Sequence, residues 1–306
     1  MRKLLLMSVA MASLALWAAE APFRIAKWQN NAKCAVSFTF DDGLLDQYTL
    51  AFPVMKELGL RGTFWVVGSK IDNPAGFRSK VERNTPTMTS EQLKEMAAAG
   101  QEISSHGFGH AKLGKMTNDE IKEEVEKNKK FLMEKIGVKA DTFAYPYNTK
   151  KNKAGESIVE FVESLGMVGS RTSQISLGNG RGEKAKARIE KAKSNGDWLV
   201  FMTHGVARGY DSFKEPEELF VLFRWASSQK DDIWFAPFRE CAIYEKLREN
   251  TTLEINEEQG FFVITPHVAN LDAALFVGEL TLLDKEGNVV AAFNPFAGSF
   301  KIPKND

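Results

Sequence analysis

The sequence predicts an α/β protein whose parallel sheet carries helices on its outer side, as a barrel or a doubly wound sheet, followed by a small antiparallel β appendage. Two observations predict it. Seven short apolar runs alternate with stretches of helical spacing through most of the chain, and after about residue 250 strands follow one another through turn signals with no helix between them. The 306 residues are 43% hydrophobic and 26% charged, enough for a large core in one big domain or two smaller ones.

The apolar runs are 34–40, 62–67, 101–105, 142–146, 167–170, 198–203 and 232–236, rich in Val, Phe, Ile and Trp. Helix-like stretches accompany them: DQYTLAFPVMKELG, SEQLKEMAAAG, NDEIKEEVEKNKKFLMEKIG, GESIVEFVESLG, EKAKARIEKAKSNG, PEELFVLFRWASSQ and RECAIYEKLREN. A long connection, 68–88, precedes the second helix, and loops of that length are often functional. In the last part, the turn K-E-G-N at 285–288 is the clearest hairpin signal.

The first residues, MRKLLLMSVAMASLALWAAEAPF, have two early cations, an apolar run from Leu4 to Trp17 and then small residues. That is the layout of a signal peptide, with cleavage expected after Ala21 and export of the mature chain, secreted or periplasmic. The apolar run is shorter than the roughly 20 residues of a spanning helix. Boundaries follow: 1–21 leader, 22–249 α/β unit, 250–306 β domain. Lys and Arg total 40, as do Asp and Glu, so bulk charge gives no reason to expect nucleic acid or an anionic membrane as partner, and recognition must be local.

The stretch FTFDDGL, 38–44, ends the first apolar run with two adjacent carboxylates and a glycine. Neighbouring side chains in a strand point to opposite faces, so Asp41 and Asp42 can share one site only where the backbone turns between or just after them. An isolated D-D-G is more often an acidic turn or a helix cap. The histidines decide otherwise. His106 and His110 follow the third strand in SSHGFGHAKL, and His204 ends the sixth in FMTHG, at strand ends where such folds place their chemistry. Gly107 and Gly109 disfavour a helix through the H-x-x-x-H pair, so a loop folding both imidazoles around one ion is expected. One carboxylate and two imidazoles suit a divalent ion such as Zn2+, with Asp41 left free as a base.

T-F-D-D-G at 39–43, S-H-G-F-G-H at 105–110, F-A-Y-P-Y at 143–147 and M-T-H-G at 202–205 resemble, in order, the motifs of the polysaccharide deacetylases, carbohydrate esterase family four. The resemblance spans about residues 33–248 and implies a distorted (β/α)7 barrel. It implies Asp41 as general base, Asp42, His106 and His110 as ligands of one divalent ion (Zn2+, with Co2+ or Ni2+ as substitutes), a Tyr147 backbone N–H for the oxyanion, and His204 as general acid. The reaction implied is hydrolysis of N-acetyl, less often O-acetyl, groups of a polysaccharide or oligosaccharide. Phe108, Tyr147 and Tyr210 are the aromatic residues expected to meet sugar rings. The sequence departs from the pattern at Ala144, where an arginine orienting the base is common, at Asn148, where glycine is common, and at Met202, where leucine is usual. Arg171 and Arg188 are candidates for the missing cation. Without it, a carbohydrate-binding protein lacking turnover is the alternative from another class, and an acetyl-ester hydrolase acting on xylan is the alternative among enzymes. Cys34 and Cys241 are expected near opposite ends of the barrel, roughly 20 Å apart and unbridged.

Overall fold

The computed structural model describes residues 21–73, 75–76, 85–178, 180–209, 211–213 and 215–304. The expected leader, apart from Ala21, lies outside the described residues. A short first strand, β1 (Phe23–Ile25), precedes β2 (Cys34–Asp42), whose nine residues are all buried. Alternation along β2 divides its work. Val36, Phe38 and Phe40 join the apolar core under the outer helices, while Ser37, Thr39 and Asp41 make polar contacts inside the curl of the sheet.

The chain then runs through α1 (Phe52–Glu57), β3 (Thr63–Val66), α2 (Ser90–Ala98), β4 (Glu102–Ser105), α3 (Asn118–Ile136), β5 (Thr142–Ala144), α4 (Ile158–Ser164) and β6 (Gly169–Arg171). It continues with β7 (Ile175–Ser176), α5 (Gly182–Asn195), β8 (Trp198–Thr203), α6 (Glu217–Ser227), β9 (Ile233–Phe235) and α7 (Phe238–Asn250). The sheet order is β6-β5-β4-β3-β2-β8-β7, with β9 also paired to β2, and every pairing is parallel. This is the distorted barrel expected, curled but open between β6 and β7. All seven anticipated strands are present within two residues at either end. The eighth, β7, has only two residues, too few for a periodic signal.

Local chemistry explains the helix ends. Thr89 and Thr117 each cap a helix reciprocally with the Gln or Glu three residues on, and Gly137 ends α3 in the left-handed conformation. The first helical stretch departs from expectation, since it starts as a five-residue π turn, Gln47–Ala51, before α1. The long loop folds back on the strand ends: Pro86 accepts from Leu45 N, and Met88 N donates to Gly43 O.

The C-terminal part forms two three-stranded antiparallel sheets. β10 (Thr251–Glu258), β11 (Phe261–Val268) and β14 (Phe300–Pro303) make one; β12 (Leu280–Asp284) and β13 (Val289–Phe293), joined through the anticipated 285–288 turn, make the other with β1. Pairing of β1 with β12 ties residues 23–25 to the appendage. Trp28, Ala35, Trp234 and Tyr244 share a core with Ile264, Leu280 and Leu282, so the appendage seals the barrel where its strands begin. The end where the strands finish remains open.

Both thiols are free and buried. The expected 20 Å separation is corrected: the Ser37 hydroxyl donates to Cys241 Sγ at 3.6 Å, so Cys241 lies beside the middle of β2, only three residues from Cys34. What keeps the thiols apart is the strand's alternation. Cys34 belongs to the core under the helices and Cys241 to the core at the barrel base.

Candidate active site

The backbone answers the question raised by the paired aspartates. Asp42 and Gly43 both take left-handed φ values, 75° and 73°, so the chain turns at the second aspartate. Regular alternation stops there, and both carboxylates face one centre. The loop after β4 is shaped the same way, with φ of 77° at Gly107 and 54° at His110. It brings His106 Nε2 to 3.6 Å and His110 Nε2 to 3.5 Å from Asp42 Oδ1.

These groups suit a cation. His106 Nδ1 lies 2.8 Å from the Ala144 carbonyl, an acceptor only, so Nδ1 carries the proton and Nε2 presents a lone pair to the centre. Burial first, and His106 second, pull the pKa of His110 down to about 3, leaving it neutral. Asp42 Oδ1 is buried with no hydrogen-bond partner among the described residues. The three donor atoms lie within 4.8 Å of one another. Lone pairs converging on one point repel, and a divalent ion between them reverses the sign of that interaction, so the residues present fit the ion expected.

Asp41 is 2% exposed and receives both terminal nitrogens of Arg171, one at 2.7 Å; the same guanidinium donates to Thr39 Oγ1 at 3.1 Å and lies 4.6 Å over the Trp65 ring. Burial by itself would raise the Asp41 carboxyl, but the Arg171 charge, helped by His106, overrides it and holds the pKa at about 2. Arg171 therefore supplies the cation absent at Ala144, from the neighbouring strand paired with it, Ala144 opposite Arg171. Arg188 is exposed on α5 and takes no part.

His204 directly follows β8, whose Thr203 pairs with Phe40, so it stands beside Asp41. Gln47, unanticipated and fully buried, ties these two ends together: its amide nitrogen donates to the carbonyls of Asp41, at 2.6 Å, and of His204. Asp46 orders the next loop, its Oδ2 accepting from Val206 N, Ala207 N and Arg208 N at 2.7–2.9 Å. No periodicity marks Gln47 as special. The only sequence signal for Asp46 is its place at the start of the first helical stretch.

Tyr147 follows Pro146 at φ 58°, its side chain 60% exposed and its ring 4.7 Å from that of His110. Asn148 also has positive φ, 54°, which explains why asparagine can stand where glycine is common. Phe108 points elsewhere: its ring packs against Phe131 at 6.1 Å under Lys127 at 4.2 Å, on the α3 side of the loop. Tyr210 lies outside the described residues. Met202 is buried in β8 opposite Thr39.

Residues 29–168 match the polysaccharide deacetylase family model. YxkH of Bacillus subtilis, a protein named for that family, is 31% identical over 140 residues, 45% of this chain and 46% of YxkH. The peptidoglycan-N-acetylglucosamine deacetylase PgdA of Listeria monocytogenes is 24% identical over 124 residues, 40% of this chain and 23% of PgdA. The chain thus spans about half the length of YxkH, and less of PgdA. A Mycobacterium smegmatis crystal structure named for the same family superposes with a TM-score of 0.57 at 17% identity, covering 77% of this chain and 98% of that one, which shows a shared fold. The matched segment, which carries the D-D-G, S-H-G-F-G-H and F-A-Y-P-Y motifs at the ends of β2, β4 and β5, is thus similar to the polysaccharide deacetylase family.

Proposed function

We propose that this chain is an exported, metal-dependent hydrolase that removes N-acetyl groups from a polysaccharide or oligosaccharide. The observation that carries the reading is the pairing of Asp41 with Arg171 beside the Asp42, His106 and His110 group: an ionised, oriented carboxylate next to a cation site. A divalent ion held there, Zn2+ by the borderline character of its donors, supplies Lewis acidity, polarising the acetyl carbonyl and lowering the pKa of water.

The protein's own groups do the rest. Asp41 takes the proton of the attacking water. A carboxylate held at about 2 is ionised throughout the neutral range but binds a proton weakly, so its value as a base lies in position. Arg171 fixes that position through two parallel hydrogen bonds. Tyr147 donates its backbone N–H to the carbonyl oxygen as it gains charge. His204 hands a proton to the departing nitrogen, which as an unprotonated amide anion is a very poor leaving group. Gln47 holds the backbone of base and acid at a fixed separation.

The reading of a binding protein without turnover rested on a missing arginine, and Arg171 removes that reason. The N-terminal leader pattern supports export, and no helix among the described residues is long and apolar enough to cross a membrane. Acetate release from chitooligosaccharides, peptidoglycan fragments and acetylated xylan, measured after chelation and after Zn2+ is restored, tests the proposal. Zn2+-dependent release from an N-acetylated substrate is expected. Release that survives chelation, or release from the acetyl ester alone, would refute it.

A further inference from the structure

The sequence balances its charges, yet the lip of the site does not. Between His110 and Thr117 and between Tyr147 and Ala154 stand five lysines, Lys112, Lys115, Lys150, Lys151 and Lys153, and no Asp or Glu. The two segments touch: Lys153 N donates to Met116 O at 3.0 Å, and Gly114 packs against Thr149 and the Lys151 carbonyl. Lys112 reaches over the Tyr147 ring at 5.8 Å, and that ring lies 4.7 Å from the His110 ring, so this ammonium stands within about 11 Å of a proposed metal ligand.

Lys112, Lys115, Lys151 and Lys153 are exposed, and among the described residues none of them forms an ion pair. Of the acids nearby, Glu120 acts on Lys153 through its charge, and each is also hydrogen-bonded within the fold. Glu120, which faces Lys153, caps Thr117; Glu156 accepts from Asn118 and Asn152; Glu124 accepts from Gly109 N. Across the mouth, Asp72 is held by Ser90 and Asp211 by Ser176 and Arg181. These acids keep their charge but form no ion pair with Lys112, Lys115, Lys151 or Lys153 among the described residues, so the two segments present their ammonium groups to solvent. Such an arrangement raises the local concentration of anions and costs like-charge repulsion unless a ligand neutralises it.

We propose that the glycan processed here is an acidic polysaccharide, whose negatively charged sugars flank the acetylated one and lie along the Lys112, Lys115, Lys151 and Lys153 lip. This rests on the deacetylase reading for the chemistry but not for the binding. Carboxylate and sulfate offer the lysines the same charge, and the probes separate them.

Binding is measured on the intact chain by calorimetry with length-matched N-acetylated oligosaccharides: unsulfated chondroitin, chondroitin sulfate and neutral chitooligosaccharide. At least about tenfold tighter binding of an acidic ligand is expected at low salt, with most of the difference lost between about 0.02 and 0.5 M salt, where the screening length falls well below the distances across the site. The ratio of the two acidic ligands assigns carboxylate or sulfate. Lys112→Gln, Lys115→Gln, Lys151→Gln and Lys153→Gln combined should abolish the preference and raise KM for the acidic polymer relative to hydrolysis of an aryl acetate by the same variant. Equal affinity for acidic and neutral ligands, an unchanged preference in the folded variant, or equal retention of duplex DNA would overturn the inference. Absence of acetate release with the preference intact would instead count against the deacetylase reading alone.

Discussion

Replacing Arg171 with Met tests the centre most directly. Arg171 and Asp41 are each 2% exposed, and the guanidinium gives Asp41 two hydrogen bonds and Thr39 a third while resting on Trp65. Removing one member of a buried pair leaves an uncompensated charge and costs about 3–5 kcal/mol. At roughly 2–4 °C per kcal/mol, the melting temperature should fall by about 6–20 °C. Alternatively the abandoned Asp41 takes up a proton, which spares stability and removes the base. Calorimetric unfolding and acetate release on the same protein catch either outcome, and activity should fall at least about a hundredfold. The pair Asp41→Asn with Arg171→Met removes both charges and should recover most of the lost stability but none of the activity, giving a coupling energy of more than about 1 kcal/mol. Strict additivity of the two single changes, or Arg171→Met with normal melting and normal turnover, would refute the reasoning.

Four further expectations follow from the same geometry. His106→Ala should hold far less Zn2+ after dialysis than the parent, while Asp41→Asn keeps its metal, as elemental analysis can show; equal retention in His106→Ala would displace that residue from the ligand set. His204→Ala should damage N-acetyl hydrolysis much more than hydrolysis of an activated aryl acetate, whose phenolate leaves unprotonated, and equal losses would argue for a positioning role. Gln47→Met should lower kcat by about tenfold or more with KM and metal content little changed, because it frees two carbonyls, those of Asp41 and His204, without touching substrate. At the barrel base, burial lifts the Glu102 carboxyl from 4.5 to about 7 despite hydrogen bonds from Thr63, Thr142 and Arg239 N, with Asp141 raising it further and the Arg239 side chain paired to Asp141. The folded state thus binds the extra proton, so the Glu102 contribution is full at and below pH 4.5 and is lost, by up to about 3 kcal/mol, as pH rises through 7, while His110, held at about 3, contributes the opposite slope over part of that range; the difference between parent and Glu102→Gln in urea titrations should isolate the Glu102 share, and identical pH profiles would assign it elsewhere.

The central strands β2 and β3 were legible because they are runs buried along their whole length, the pattern parallel sheets require. The candidate ligands His106 and His110 were legible because they follow β4 within five residues. Arg171 could be named only as one of two candidates, since the sheet order that pairs β6 with β5, and so carries its guanidinium to Asp41, is not encoded in local spacing. Gln47 gave no signal, because an amide that reaches a carbonyl 157 residues away reflects tertiary closure alone. Phe108 misled for the opposite reason. Its position between two ligands suggested exposure to substrate, but Gly107 turns the chain so that the ring reaches α3. The first strand was missed since its partner, β12, lies more than 250 residues away in sequence.

The centre runs against the ordinary rules of a barrel interior. Two aspartates, an arginine and a histidine are buried where apolar packing would stabilise more, and Asp42 Oδ1 has no hydrogen-bond donor among the described residues. Each of the groups proposed to react is held by a polar device. Arg171 fixes the carboxylate of Asp41, the Ala144 carbonyl fixes the tautomer of His106, and Gln47 fixes the backbone at His204. The loop beyond His204 is folded so closely that a Cβ at Gly205 would lie 1.4 Å from the Arg208 carbonyl oxygen, and the Asp46 carboxylate draws three consecutive N–H groups to itself to keep it there. None of these devices buries much apolar area, so the free energy that holds them must come from elsewhere. The two aromatic cores supply it, one beneath the helices around Phe38, Phe40 and Phe64, the other where Trp28, Trp234 and Tyr244 meet the β appendage. The appendage therefore supports the candidate site from the opposite end of the barrel, by sealing the base on which a polar and strained top can be carried.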